Sequence, residues 1–534
     1  MLPPDSLCPD RPRTGPDLSY PETVNLAAVL VDTHIKEGNG DRTALVASSV
    51  KMSYAQLQNR VRSLAAGLRT AGCMPGDRVL LRLSNTPDLV AVWLATQMTG
   101  AVAVATPTML RARELAAIID DARPRLIVTT PDWSGEVVIS DARNVSRMVF
   151  IGDDPKTTEA AANSLDALAA GSAPVESAWP TGVDDIALIA YTVGADGQWK
   201  GACHSPGDVL ASADTYARRV LGLRDGDVVG GHPPIAFTYG LGALAVFPLR
   251  FGCVSVLTET FDAGELLEAI GREGVTVFFG TPTCYRLLMQ LPGFPGRFNL
   301  RSLRLCVSAG EPLSGEDSAA WTAATGVDLL DGLGTTELFH IVISQRPGSV
   351  RHGSMGLPVP GYEIRVVDGS LHDVAGDARG RLAVRGPTGC RYWNRVEAQK
   401  EYVQAGWNLT GDEVRRDSDG YCWFLRRHDD LIVSAGYNIG PPEVEAVLRQ
   451  HPAVAAAAVV AIADPIRGAV PKAFVVLESH AMPDAKLTLA LQEHAASKLA
   501  SYKRPRQIEF VRSLPTAANG SVDRAALRAR IRRN

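Results

Sequence analysis

Long apolar runs are missing from this 534-residue sequence. No uninterrupted apolar stretch reaches 18 residues, which excludes a transmembrane helix as read from hydropathy. The opening Met1-Leu2-Pro3-Pro4-Asp5 lacks the basic-then-apolar layout of a secretory signal, so a cytoplasmic location is expected. Strong charge of either sign is absent too: the formal net charge is −4. That balance gives no electrostatic reason to expect nucleic acid or a membrane surface as partner. Cysteine is sparse, eight in all, at 8, 73, 203, 253, 284, 306, 390 and 422. No pair is spaced C-x-x-C, which leaves zinc and dithiol chemistry without a motif. Cys253 and Cys306 sit in apolar strand-like runs and read as buried thiols. Lysine is scarce as well, nine residues against 45 arginines.

What is present is a globular composition, 46% hydrophobic and 21% charged. The length exceeds one ordinary core and predicts several folding units. Residues 1–20 are rich in Pro, Asp and Arg without apolar periodicity and read as a mobile tail. From Val24 onward helices and strands alternate. Helical periods cover Tyr54 to Ala71, Pro87 to Thr99, Leu115 to Ala122 and Ala263 to Glu273. Apolar strands fall between them at Val79–Leu83, Ala101–Ala105, Leu126–Val128, Cys253–Leu257 and Val275–Phe279. The pattern predicts an α/β fold with parallel-rich sheets. After about 350, short strands separated by Gly, Asp and Pro predict a small β subdomain. The last hundred or so residues predict a compact α+β unit. The expected division is tail 1–20, a large domain 21–428 and a small C-terminal domain 429–534.

Three segments carry chemistry. Tyr191-Thr192-Val193-Gly194-Ala195-Asp196-Gly197-Gln198-Trp199-Lys200-Gly201 follows an apolar strand. Its glycines could wrap an anion with backbone N–H groups within reach of Lys200, or simply make a turn. Ser308-Ala309-Gly310-Glu311 and Asp331-Gly332-Leu333-Gly334-Thr335-Thr336-Glu337 follow further strands, where open α/β sheets bind ligands. A hydroxyl beside a carboxylate suits hydrated Mg²⁺ and phosphate; two capped Gly turns are the plainer alternative. Asn408-Leu409-Thr410-Gly411-Asp412, with Arg427 and Asp429-Asp430 downstream, offers a carboxylate to a ribose or an Asx-turn.

In this order the segments resemble the adenylate-forming superfamily of acyl-CoA synthetases, adenylation domains and luciferases. Within it they look most like benzoate- and 2-aminobenzoate-CoA ligases. Pro233-Pro234-Ile235-Ala236-Phe237-Thr238-Tyr239-Gly240, Ser434-Ala435-Gly436-Tyr437-Asn438-Ile439 and Tyr502-Lys503-Arg504-Pro505 strengthen the match. The resemblance implies ATP and Mg²⁺, an aryl acid, and CoA as a further candidate. Thr192, Gly194, Gly197 and Lys200 would face the phosphates. Gly310, Glu311, Asp331 and Gly332 would lie near adenine. Thr336 would touch the α-phosphate and Glu337 would hold the metal. Asp412 and Arg427 would bind ribose, Asp429 would be the hinge of a mobile lid formed by 429–534, and Phe237, Tyr239, Gly240 and His340 would line an aryl pocket.

The sequence also departs from that family. Its phosphate loop has Val193, Ala195, Asp196 and Trp199 where the family has Ser, Thr, Thr and Pro. Near the end, Ser521 stands where the family has a lysine that clamps carboxylate and α-phosphate. Lys498, Lys503 and Arg524 are the candidate substitutes. Loss of the clamp with retention of the pocket favours an aryl-amine diazotase of antibiotic biosynthesis, with nitrite as the acid that ATP activates. An aryl-CoA ligase and a catalytically weak aryl-binding paralogue are the alternatives.

Overall fold

The computed structural model describes residues 2–13, 16–48, 50–140, 147–152, 163–516 and 522–531. Two large sheets organise the first 400 residues. One has nine strands: Leu329–Gly334, Leu305–Ser308, Val277–Gly280, Val228–Gly231, Val254–Leu257 and Thr43–Ala47 run parallel at its centre, with antiparallel strands at both edges. The other has seven, five of them parallel from Leu188–Val193 across to Arg147–Phe150. Buried apolar runs such as Leu80, Leu81 and Ile127 suit central parallel strands covered on both faces.

Helix Pro87–Met98 shows why the layers hold. Thr86 caps it by accepting from the Leu89 amide at 3.3 Å, and Pro87 takes the first turn. Residues 89–98 are all buried, and Trp93 shares one core with Val79 and Leu81 of one sheet and Val229, Phe279 and Val307 of the other. A five-stranded antiparallel sheet within 363–427 forms the β subdomain. Beyond it come a hairpin, Ile432–Ser434 with Tyr437–Ile439, and a three-stranded sheet of Val454–Asp464, Gly468–Leu477 and Gln507–Phe510 with its helices. Among the described residues no helix is long and apolar enough to cross a membrane. All eight cysteines are free thiols; seven are buried and Cys8 is half-buried.

The mobile-tail expectation for residues 1–20 is corrected over 2–13 and 16–20; Met1, Thr14 and Gly15 lie outside the described residues. Arg11 and Arg13 reach the fully buried Asp208 at 3.0 and 2.9 Å, joined by Arg391 at 3.3 Å. Leu18 is buried, and the Tyr20 hydroxyl donates to Asp214 at 3.0 Å. Composition hides this docking because the acids that receive the tail lie almost two hundred residues away. Burial works against the Asp208 charge, and the three guanidiniums outweigh it, holding its carboxyl well below the usual range.

Candidate active site

One cavity of about 600 Å³ collects nearly every predicted site residue. Its walls come from the ends of strands Leu188–Val193, Leu305–Ser308 and Leu329–Gly334, from the β subdomain, and from the 432–439 hairpin. Thr192, Gly194, Lys200, Phe237, Tyr239, Gly310, Glu311, Asp331, Gly332, Thr336, Glu337, His340, Asp412, Arg427 and Asp429 all line it. Gly197 and Gly240 do not. Gly240 packs behind the wall, where a Cβ would meet the Pro234 carbonyl oxygen at 2.1 Å. Ser521 lies outside the described residues.

The glycine-rich segment is the turn of an antiparallel hairpin, with Thr192 opposite Lys200 and Val193 opposite Trp199. Gly194 donates to the Gln198 carbonyl at 3.0 Å, and Gly197 to the Gly194 carbonyl at 2.9 Å. The Lys200 ammonium lies 3.5 Å from the Asp196 carboxylate, and both side chains fold over Gly194. The loop also packs on the start of helix Pro441–Leu448. A Cβ on Gly440 would fall 2.6 Å from the Gly194 carbonyl oxygen and 2.7 Å from the Gly197 Cα, so this approach needs glycine.

At the opposite end the cavity is polar. Asp331 Oδ1, Glu311 Oε2 and Ser308 Oγ are buried with no protein hydrogen-bond partner. Burial pushes the Asp331 carboxyl well above its usual range and raises Glu311. Glu311 Oε1 accepts from the Thr283 amide at 2.8 Å. Unpaired buried acceptors and donors of this kind cost free energy unless a ligand satisfies them, and a nucleobase edge fits. Gly310, at φ +95°, adopts the left-handed backbone that lets the chain pass this point without a side chain.

Between these ends stands Glu337, in a single 3₁₀ turn over Thr336–Leu338. Its Oε1 accepts from the Tyr392 hydroxyl at 2.7 Å, and Thr335 Oγ1 lies 3.2 Å from the Tyr402 hydroxyl. Burial keeps both phenols protonated. One carboxylate oxygen is thus held and the other is left for a hard cation. A single carboxylate with a neighbouring hydroxyl fits Mg²⁺, which keeps several waters and takes its remaining ligands from substrate phosphates. Among the described residues no group of three or more His, Cys, Asp or Glu could cage a metal by itself.

Arg427 bridges Asp412 (2.9 Å) and Asp429 (2.6 Å) and donates to the Thr410 carbonyl at 3.2 Å. Burial opposes its charge, and the two carboxylates outweigh that, keeping it protonated. Seven acidic residues line the cavity against two cations, Lys200 and Arg427, and both cations already face carboxylates. None of Lys498, Lys503 and Arg524, the expected substitutes for a clamp lysine, lines it. Lys503 is fully buried between Glu114 and Glu443, Lys498 donates to Gln450 at 2.7 Å, and Arg524 pairs with Glu445 at 2.5 Å.

The aryl end is aromatic. The Tyr239 hydroxyl donates to the Gly280 carbonyl at 3.0 Å, fixing its ring. His340 sits among Tyr216, Tyr239 and Phe247, with Nε2 3.2 Å from the Tyr239 carbonyl. Burial lowers its pKa to about 3, so the imidazole is neutral. Two further aromatic residues, Tyr437 and Tyr502, complete this wall. Tyr437 stands edge-on to Phe237 at 5.7 Å and stacks on Tyr502 at 4.5 Å. Tyr392 and Tyr402 escape sequence reasoning as partners of the Thr335–Glu337 turn; no spacing signal connects them.

Comparison with known proteins gives a consistent result. Residues 32–393 match the family described as AMP-binding enzyme, and residues 443–521 match AMP-binding enzyme C-terminal domain. A benzoate–CoA ligase from Thauera aromatica is 35% identical over 97% of this chain and 98% of its own. An anthranilate CoA ligase solved in complex with anthranoyl-AMP is 32% identical, with a TM-score of 0.76 over 97% and 99% of the two chains. An amide bond synthetase from Marinactinospora thermotolerans is 30% identical, with a TM-score of 0.84 over 95% and 99%. These relatives support the aryl-CoA ligase expectation. The diazotisation, nitrite and antibiotic-biosynthesis expectations find no support in them.

Proposed function

This chain belongs to the AMP-binding enzyme family and is an ATP-dependent, AMP-forming ligase; we propose that its acid is a benzoate, amino- or hydroxy-substituted, and its acceptor the thiol of CoA. The observation that carries this reading is the continuity of one cavity. It joins an aromatic slot (Phe237, Tyr239, His340) to Glu337, to the Arg427–Asp412 pair and to the unpaired polar groups of Asp331 and Glu311. A flat acid in the slot presents its carboxylate toward Thr336 and Glu337, with nucleoside beyond. A carboxylate oxygen attacks the α-phosphorus and pyrophosphate leaves. The thiol sulfur then attacks the acyl carbon, AMP leaves, and the thiol proton passes to solvent.

Glu337 would hold the Mg²⁺, whose chemistry there is neutralisation of phosphate charge. That neutralisation matters more here than in a cavity with spare lysines, since acids outnumber cations over the cavity as a whole. Tyr437 and Asn438 would border the acceptor's approach. Asn438 donates to Thr192 Oγ1 at 3.3 Å, so the 432–439 hairpin touches the phosphate loop directly.

The test is AMP release from ATP and Mg²⁺ with benzoate and with 2- and 3-aminobenzoate, run with CoA, with nitrite and with neither. CoA-dependent release with one aryl thioester per AMP is expected. Release that requires nitrite and consumes the amine would replace this reading with diazotisation.

A further inference from the structure

The Thr336–Leu338 turn cannot hold its own shape. One 3₁₀ turn has few internal hydrogen bonds, and the next residue, Phe339, lies at φ +72°, a conformation that a bulky residue adopts only when its surroundings enforce it. Three outside contacts enforce it. Thr335 Oγ1 accepts from the Leu338 amide at 3.2 Å. Thr388 Oγ1 donates to the Leu338 carbonyl at 2.8 Å. His204 Nε2 lies 2.8 Å from the Thr336 carbonyl, one residue from Glu337. The His204 ring also meets the Phe339 ring edge-on at 5.3 Å.

His204 is fully buried. A carbonyl oxygen can only accept, so Nε2 must carry the hydrogen. Nδ1 has no partner among protein atoms, as expected for the bare nitrogen of that tautomer. Its place in the chain gives this contact a second consequence. His204 ends strand Trp199–His204, which carries Lys200 near its start, about 13 Å away along an extended chain. One strand therefore spans the phosphate loop and the turn that bears Glu337.

We propose that His204 is a positioning residue. As the Nε2–H tautomer it fixes the Thr336 carbonyl, and so sets the distance between Lys200 on the phosphate loop and the Glu337 carboxylate. The proposal rests on the reading that Glu337 serves a Mg²⁺-bound nucleotide.

The test compares wild type, His204→Leu and His204→Gln, in which the amide nitrogen stands near the place of Nε2. The Mg²⁺ concentration for half-maximal ATP binding is measured by calorimetry at fixed ATP. His204→Leu should need roughly tenfold more Mg²⁺, the scale of one lost hydrogen bond, and His204→Gln should return to within about twofold of wild type. An unchanged Mg²⁺ requirement in His204→Leu, or a glutamine variant as poor as the leucine one, would overturn the proposal. A second measurement needs no folded variant of the pair: the ¹⁵N ring spectrum of histidine-labelled wild type should show His204 protonated at Nε2, and protonation at Nδ1 would overturn the proposal. The same wild-type samples are assayed for aryl-AMP. Mg²⁺-dependent ATP binding without aryl-AMP would remove the ligase reading, while the Mg²⁺ titration would still decide the role of His204.

Discussion

Asp196 places its carboxylate 3.5 Å from the Lys200 ammonium, inside the glycine-rich loop that borders the cavity. The loop carries its own anion against its own cation. A triphosphate entering there competes with Asp196 for Lys200 and is repelled by it. The pair is half-exposed, so the effect is modest. Asp196→Thr should lower the KM for ATP by about two- to fivefold with kcat little changed. Steady-state kinetics at fixed Mg²⁺ measure this, and a raised KM would mean that Asp196 helps to bind the nucleotide.

Glu337→Gln removes the charge proposed to hold Mg²⁺ and keeps the size of the side chain. Loss of about 10²–10³ in the rate of pyrophosphate release is expected, from the scale of one lost electrostatic contact in the transition state. The thermal midpoint should stay near that of wild type. Full activity in this variant would remove Glu337 from the metal site.

Among the described residues Lys503 is the one cation paired with the two buried carboxylates Glu114 and Glu443, with the Trp199 ring 4.7 Å from its ammonium. Its removal leaves both acids uncompensated. Lys503→Met should cost about 3–5 kcal/mol at neutral pH, read by chemical denaturation. The deficit should shrink as pH falls toward about 5. Burial already raises the Glu443 carboxyl in the presence of the ammonium; without it, protonation comes more easily still and discharges the site. A deficit that grows on acidification would contradict this.

Acid should unfold the protein in two stages. Burial lowers His204 and His232 to about 4 and His340 to about 3, against 6.5 in the unfolded chain. Below 6.5 the unfolded state binds protons that the folded state refuses, so stability falls with pH, by about 1.4 kcal/mol per unit per ring. Asp208 acts lower. Its folded pKa is depressed, so its contribution is complete above its unfolded value of 3.8 and is lost as pH drops further. Asp208→Asn should remove the second stage and keep the first. Denaturation series from pH 7 to 2 test both.

Much of this is legible in the sequence. Helix Ala263–Glu273 can be read to the residue from its apolar period and closing Gly274, which takes φ +69°. The site's glycines, Thr336, Glu337, Asp412 and Arg427 follow from ordered motifs. What escapes depends on partners distant in the chain. Asp208 is unremarkable until Arg11 and Arg13 fold onto it, and Lys503 looks available until Glu114 and Glu443 enclose it. Strand Trp199–His204 is hidden because Trp-Lys-Gly-Ala-Cys-His shows no alternation, and only its pairing with Leu188–Val193 creates it. The Gly194–Gly440 approach has the same cause: two glycines far apart in the chain share one contact.

The central claim is that this cavity, in which acids outnumber cations, makes an aryl adenylate and passes it to a thiol. A single-turnover experiment tests it most directly. Enzyme in excess is mixed with ATP, Mg²⁺ and a benzoate, quenched, and analysed by mass spectrometry, and a parallel sample is chased with CoA. Aryl-AMP is expected in the first sample, and its conversion to aryl-CoA with AMP in the second. Absence of aryl-AMP, with AMP formed only when nitrite and an aminobenzoate are supplied, would contradict the claim.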